Sequence, residues 1–254
     1  MKENDSNTEP KEFRSWFQYE EDKHPAPTYD PADDPHEKMW REVEEMRAEA
    51  EADGEIVDED WMNERFFELD RKYKNEPPPD CEIALRNYGS IKRQREFQRA
   101  AEYVADEFSR LPEVLKVVAF GSVASPLDIE IPRFREFRRY GISIRHECKD
   151  LDLAVWLSCI DKLRELQKAR GQALNRLFEV ENIGVAHHQV EVFVMEPETD
   201  HFLGNLCGYA KCPKGKPDCR VEGCGDVKHL QKHEDFNLDK NALSPDRTRI
   251  LFER

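Results

Sequence analysis

Three acids set in apolar surroundings are the residues of this chain most able to do chemistry together. Asp150 and Asp152 alternate with Leu151 and Leu153 at the head of an apolar run, and Glu191 sits inside Val190-Glu191-Val192-Phe193-Val194. Alternate residues of a strand face the same way. Asp150 and Asp152 would therefore point to one side while the leucines pack inward. Mg²⁺ and Mn²⁺ take hard oxygen ligands. Two such ions roughly 3.5–4 Å apart neutralise a polyphosphate and activate an attacking oxygen. The chemistry expected of these acids is phosphoryl transfer. Glu191, between two valines, needs a partner if it is buried, and a metal ion would supply one.

Gly121-Ser122 adds a second element, because it ends the strand-like run 114–120. Glycine lets the backbone approach a phosphate closely, the N–H groups after it can cradle phosphate oxygens, and the Ser122 hydroxyl is a further donor. Gly89-Ser90 is another such pair, with no strand before it. Taken in order, strand, Gly-Ser, Asp-x-Asp strand and later acidic strand resemble the nucleotidyltransferase superfamily to which DNA polymerase β belongs. The resemblance spans about residues 90–196. It implies that Gly121 and Ser122 hold a nucleoside triphosphate, with ATP the first candidate. It also implies that Asp150, Asp152 and Glu191 hold Mg²⁺ or Mn²⁺ and carry catalysis. Two features depart from that pattern. The connection from Ser122 to Asp150 is longer than in minimal members, and the third acid is Glu where Asp is more usual. The plain alternative is that Asp150 and Asp152 are polar edge residues and Glu191 a surface position.

The long connection is basic. Arg133, Arg135, Arg138, Arg139, Arg145 and Lys149 are set against Glu136 and Glu147. Arginine suits bidentate recognition of phosphate, so Arg139, Arg145 and Lys149 are candidate nucleotide contacts. The other reading is a solvated face balanced by acids elsewhere.

These residues need a scaffold, and hydrophobic spacing predicts one. Ile91, Phe97, Ala100, Ala101, Val104, Phe108 and Leu111 recur at helical spacing over 90–111. Strands are predicted over 115–120, 151–157 and 189–195, and a long helix over 160–181. The fold class expected is α/β (α+β): a small mixed sheet with flanking helices, of nucleotidyltransferase type where the resemblance holds. Helices are also predicted over 36–53, with a narrow stripe of Met39, Trp40, Val43 and Met46, and over 60–74. Glu76-Pro77-Pro78-Pro79 closes that extension. Residues 1–35 are proline-containing and polar, broken by Phe13, Trp16 and Phe17, and read as an acidic arm. The domain reading is an arm 1–35, a helical extension 36–80, a catalytic domain 81–200 and a cysteine-rich segment 201–254.

Cys207, Cys212, Cys219 and Cys224 lie among Pro213, Gly215, Pro217, Gly223 and Gly225, residues that make tight turns. Thiolates so spaced can converge on a structural Zn²⁺, with His229 or His233 able to replace one or two of them. Unliganded reduced thiols are the alternative. Lys211, Lys214, Lys216 and Arg220 make this loop basic. Cys81, Cys148 and Cys159 read as packing residues, and His187 and His188 as exposed.

Charge is divided sharply. Residues 1–80 carry 26 Asp/Glu and 11 Lys/Arg, whereas 81–254 carry 28 of each. The acidic third argues against a non-specific nucleic-acid binder. No apolar run is long enough to span a membrane and no apolar leader is evident, so no membrane partner and a cytoplasmic location are expected.

The resemblance implies an enzyme in which an acceptor hydroxyl attacks the α-phosphate of the triphosphate and pyrophosphate leaves. The acceptor is open among a protein, an RNA end and a small molecule. Few residues follow Glu191, which favours a small modifying enzyme over a polymerase. A catalytically silent module of the same fold, binding a partner or nucleic acid, is the rival. A third reading has the acidic third shielding the arginine segment.

Overall fold

The computed structural model describes residues 27, 34–73, 75–199, 201–208, 221, 223–232, 238 and 240–254. Phe13, Trp16 and Phe17 lie outside them. By its internal contacts the chain forms two compact units. One contains Gln94–Pro126 and Cys148–Arg254, and the other contains Glu21–Arg93 and Leu127–Glu147.

The first unit is built on a six-stranded mixed sheet. Its strands are β1 (Val114–Phe120), β4 (Leu151–Leu157), β5 (Val190–Met195), β6 (Phe202–Leu206), β7 (Leu230–Gln231) and β8 (Thr248–Glu253). β2 and β3 belong to the other unit. The spatial order is β7-β6-β5-β4-β1-β8. Only β4 and β5 run parallel, because the helix α5 (Leu163–Glu181) carries the chain back between them. A parallel pair requires such a crossover, whereas its antiparallel neighbours do not.

Alternation along the strands divides the sheet into two faces. Leu151, Leu153, Val155, Val190, Val192 and Val194 are buried on one. On the other, Val118, Phe120, Ala154, Phe193 and Met195 form a cluster, with Trp156, Phe202, Leu238, Ala242 and Leu243 packed against it. Phe120 and Phe193 meet edge to face at 5.1 Å. Asp152 and Glu191 belong by alternation to this second face, at its end.

The amphipathic run near residue 90 is part of a longer helix, α3 (Asp80–Ser109), whose first part, to Arg93, belongs to the second unit. Asp80 and Glu82 in the first turn suit the positive end of the helix dipole, and Glu82 pairs with Arg86 at 2.9 Å. These local terms start the helix before its apolar stripe begins. In the first unit, Phe97, Ala100, Ala101, Val104 and Phe108 are buried. α3 and α5 stand side by side there. Arg99 pairs with Glu181, the Tyr103 hydroxyl donates to Glu181 at 2.9 Å, and Arg176 pairs with Asp106 at 3.0 Å.

In the second unit, α1 (Pro35–Ala52) and α2 (Glu59–Tyr73) match the predicted helices to within one residue. Met39, Val43 and Leu69 are buried between them, with Met46, Met62 and Phe66 around. Trp40 is 41% exposed and leans on Phe66 at 5.2 Å. The basic connection is folded. β2 (Ile129–Glu130) and β3 (Ile144–Arg145) pair antiparallel, with the short helix α4 (Arg135–Tyr140) between them. Buried Phe137 and half-exposed Phe134 lie under the Arg86 guanidinium, each ring centroid 5.0 Å away. The Arg145 amide donates to Asn87 at 2.7 Å.

Candidate active site

The strands deliver the acids by register. β4 and β5 pair so that Asp152 stands opposite Glu191, and β1 and β4 pair so that Phe120 stands opposite Asp152. Gly121 follows Phe120 directly. Three strand ends therefore bring the Gly-Ser turn, the Asp-x-Asp segment and Glu191 to one edge of one face. Asp150 precedes β4 and is exposed, as is Glu191, while Asp152 is largely covered.

Gly121 is required where it stands. Its φ of +75° lies in the left-handed region. A Cβ there would come within 3.0 Å of Asp152 Oδ2. The turn and the central acid are thus in contact, with no room for a side chain between them. Gly89-Ser90 has a different fate, inside α3 with Ser90 buried.

Asp152 has the unusual electrostatics of the set. Burial, then the charge of Glu191, then that of Asp150, push its carboxyl up to about 7. Desolvation and like charge both resist ionisation, so at neutral pH the site holds a carboxylate poised between its two states. A divalent cation would relieve all three causes, and carboxylates are the donors Mg²⁺ selects. In donor chemistry and register the residues fit such an ion. Among the described residues, however, no three His, Cys, Asp or Glu side chains are gathered into a ligand group.

Neighbouring contacts hold these parts in place, and spacing in the sequence did not announce them. The Ser122 hydroxyl donates to the fully buried Cys148 thiol at 3.3 Å, and that thiol lies 3.7 Å from the Asp150 carbonyl. Cys148 is the packing residue expected, and it also ties the Gly-Ser turn to the residue before β4. Arg170 of α5 is buried and donates to the Val190 carbonyl at 3.0 Å, next to Glu191. Burial draws the Arg170 pKa down, opposed by Cys207. From α3, Gln94 and Gln98 reach the backbone of the turn. An arginine or glutamine on an amphipathic helix carries no sign of such a role until the helix is placed.

The remaining predicted residues are distributed as follows. Lys149 is exposed, one residue before Asp150. Arg139 and Arg145 belong to the second unit, where Arg139 donates to Asn75 at 2.6 Å. A cavity of about 630 Å³ in that unit includes Lys38, Arg139, Asp70 and Glu82 over Pro77–Pro79. Its charges are mixed, and none of the three acids lines it.

Cys207 and Cys224 are half-buried, whereas Cys212, Cys219 and His233 lie outside the described residues. His229 is buried at a φ of +66°. Its carbonyl accepts the Cys207 amide at 2.8 Å, and its Nδ1 is 3.2 Å from the Cys207 carbonyl. His187 and His188 are exposed, in a 3₁₀ turn before β5. Among the described residues no helix is long and apolar enough to cross a membrane. Compared with protein-family models, with curated proteins and with solved structures, the chain matches none.

Proposed function

We propose that this chain is a metal-dependent nucleotidyltransferase, transferring a nucleoside monophosphate from a triphosphate to an acceptor hydroxyl with release of pyrophosphate. One observation carries the reading. Asp152 lies in register with Glu191 and against Gly121, and its carboxyl is pushed up to about 7 by its surroundings. An isolated surface aspartate has no cause for such a shift. A cluster that meets a cationic ligand does.

In this reading Asp150, Asp152 and Glu191 would hold Mg²⁺ or Mn²⁺, whose charge would offset that of the triphosphate and lower the pKa of the acceptor hydroxyl. Gly121 lets the turn lie against Asp152, beside the ions these acids would hold, and the Ser122 hydroxyl would exchange a weak sulfur acceptor for a phosphate oxygen. Glu191, exposed at the edge, would help to take the proton of the acceptor. Asp152, held by β1 and β5 on either side, fixes the geometry. ATP is the first triphosphate to try, and the acceptor is a protein, an RNA end or a small molecule. A structural Zn²⁺ on Cys207, Cys212, Cys219 and Cys224 is part of the same proposal. It rests on their spacing, and metal analysis of the purified chain tests it.

The decisive experiment incubates the chain with Mg²⁺ or Mn²⁺ and each α-labelled triphosphate, with cell extract as the acceptor source. Label transfer that disappears in Asp152→Asn is the expected result, and the labelled species identifies the acceptor. Triphosphate binding without transfer would favour a silent binding module instead.

A further inference from the structure

Two glutamines one helical turn apart on α3 grip the backbone of the Gly-Ser turn. The Gln94 side-chain amide donates to the Ser122 carbonyl at 2.6 Å and to the Ser125 carbonyl at 2.7 Å. The Gln98 amide donates to the Val123 carbonyl at 3.0 Å. The Gly121 carbonyl accepts the Ala124 amide at 3.1 Å. Four successive or near-successive carbonyls of 121–125 are thereby fixed, three of them by side chains from one helix.

The consequence follows from peptide geometry. All peptide bonds here are trans, so the Val123 N–H points opposite to the Ser122 carbonyl. With that carbonyl held toward α3, the Val123 N–H is turned away from it. Gln94 thus opposes a flip of the Ser122–Val123 peptide and Gln98 a flip of the Val123–Ala124 peptide, and either flip would reshape the turn that carries the Ser122 hydroxyl. The Ser122 hydroxyl is fixed as well, on the side of Cys148. Both glutamines are partly buried, so water competes weakly for these bonds. A neutral amide also suits the task, since a lysine or arginine at either position would itself draw the anion.

We infer that Gln94 and Gln98 are positioning residues for a polyphosphate, holding the Gly121–Ser125 turn in its phosphate-accepting orientation through three carbonyl contacts. This rests on the nucleotidyltransferase reading of the site. The residues act through the turn and touch no reacting atom.

The test uses the full chain as wild type, Gln94→Met and Gln98→Met. Methionine keeps side-chain length and helix propensity while removing the donor. Binding of a non-hydrolysable ATP analogue and of AMP is measured by calorimetry in Mg²⁺. Amide hydrogen exchange over 121–125 and thermal melting are followed alongside. Triphosphate affinity should fall about tenfold in Gln94→Met and about threefold in Gln98→Met, in line with two donated bonds against one. AMP affinity should stay within about twofold, because a single phosphate engages little of the turn. Exchange over 121–125 should quicken while the melting temperature holds within a few degrees.

Equal loss of AMP and triphosphate binding, or no loss of either, would overturn the inference alone. A folded wild type that binds no triphosphate would overturn the reading of the site, and the inference with it.

Discussion

The acids at the heads of β4 and β5 and the acids of α1 and α2 carry the same charge in opposite settings. On the helices they are numerous, exposed and matched. Glu44 and Glu51 flank Arg47 at 3.6 and 2.9 Å, Glu68 meets Arg65 at 2.7 Å, and Glu42 reaches Lys72 across the pair at 2.9 Å. At the sheet edge they are three, and Asp152 is surrounded by Gly121, Phe120 and two further acids. Charge density along the sequence points to the helices. The electrostatic tension belongs to the sheet, because desolvation beside like charge makes protonation or cation binding worth energy, whereas water and a flexible cation render a surface glutamate nearly inert.

The largest expected effect separates the two settings by activity. Asp152→Asn should lower label transfer about a thousandfold, the scale of losing several kcal/mol of charge stabilisation. Glu44→Gln and Glu51→Gln together should leave it within about twofold, as changes to solvated charges usually do. A comparable loss from the helical pair would show that the acidic third takes part in the reaction.

Next is the pH dependence of stability in metal-free, chelator-treated buffer. The Asp152 carboxyl starts near 3.8 and rises to about 7 in the fold. A group raised in this way contributes its full stability below the unfolded value and loses it as pH climbs to the folded one. The wild type should therefore weaken relative to Asp152→Asn between about pH 4 and 7, then run parallel to it above. The gap at pH 8 should be on the order of 2 kcal/mol, less than the whole shift implies because Asp152 is partly exposed. Denaturant melts at pH 4, 6 and 8 would measure it. A gap that does not grow with pH would mean that Asp152 ionises freely and resembles the helical acids after all.

Glycine sharpens the contrast at the level of the backbone. Gly121→Ala must place a side chain at a φ of +75° and within 3.0 Å of Asp152 Oδ2, and should cost about 2 kcal/mol. Gly89→Ala faces open space within α3 and should stabilise by roughly 0.5–1 kcal/mol. Chemical denaturation of both variants reads the two signs in one experiment.

These residues also show what the sequence disclosed. The strands carrying Asp152 and Glu191 were legible because apolar runs bounded by breakers are local signals, and α1, α2 and α5 were legible from helical periodicity. Contact between Gly121 and Asp152 was foreshadowed by motif order. β6, β7 and β8 were not foreseen, since Phe202–Leu206 and Leu230–Gln231 are short and Thr248–Glu253 alternates poorly. Their strand character comes from pairing with β5, β6 and β1. The hairpin of β2 and β3 was hidden for the same reason, since a two-residue strand exists only through its partner. Gln94, Gln98 and Arg170 were beyond reach because their roles depend on which backbone atoms the tertiary fold brings opposite them.

The smallest effect tests the rule from the helical side. Glu42 and Lys72 join α1 to α2 with side chains 37% and 51% exposed. A double-mutant cycle of Glu42→Gln and Lys72→Met should give a coupling of about 0.5 kcal/mol that fades in 1 M salt, because the pair is open to solvent and its field is screened within a few ångströms. The corresponding cycle of Asp152→Asn and Glu191→Gln should give a coupling of opposite sign at pH 8, larger and less sensitive to salt. Water is partly excluded between those two strands, and the charges repel. Equal magnitudes and equal salt dependence in the two cycles would remove the physical distinction between the regions, and with it the reason to look for a cation at the sheet edge.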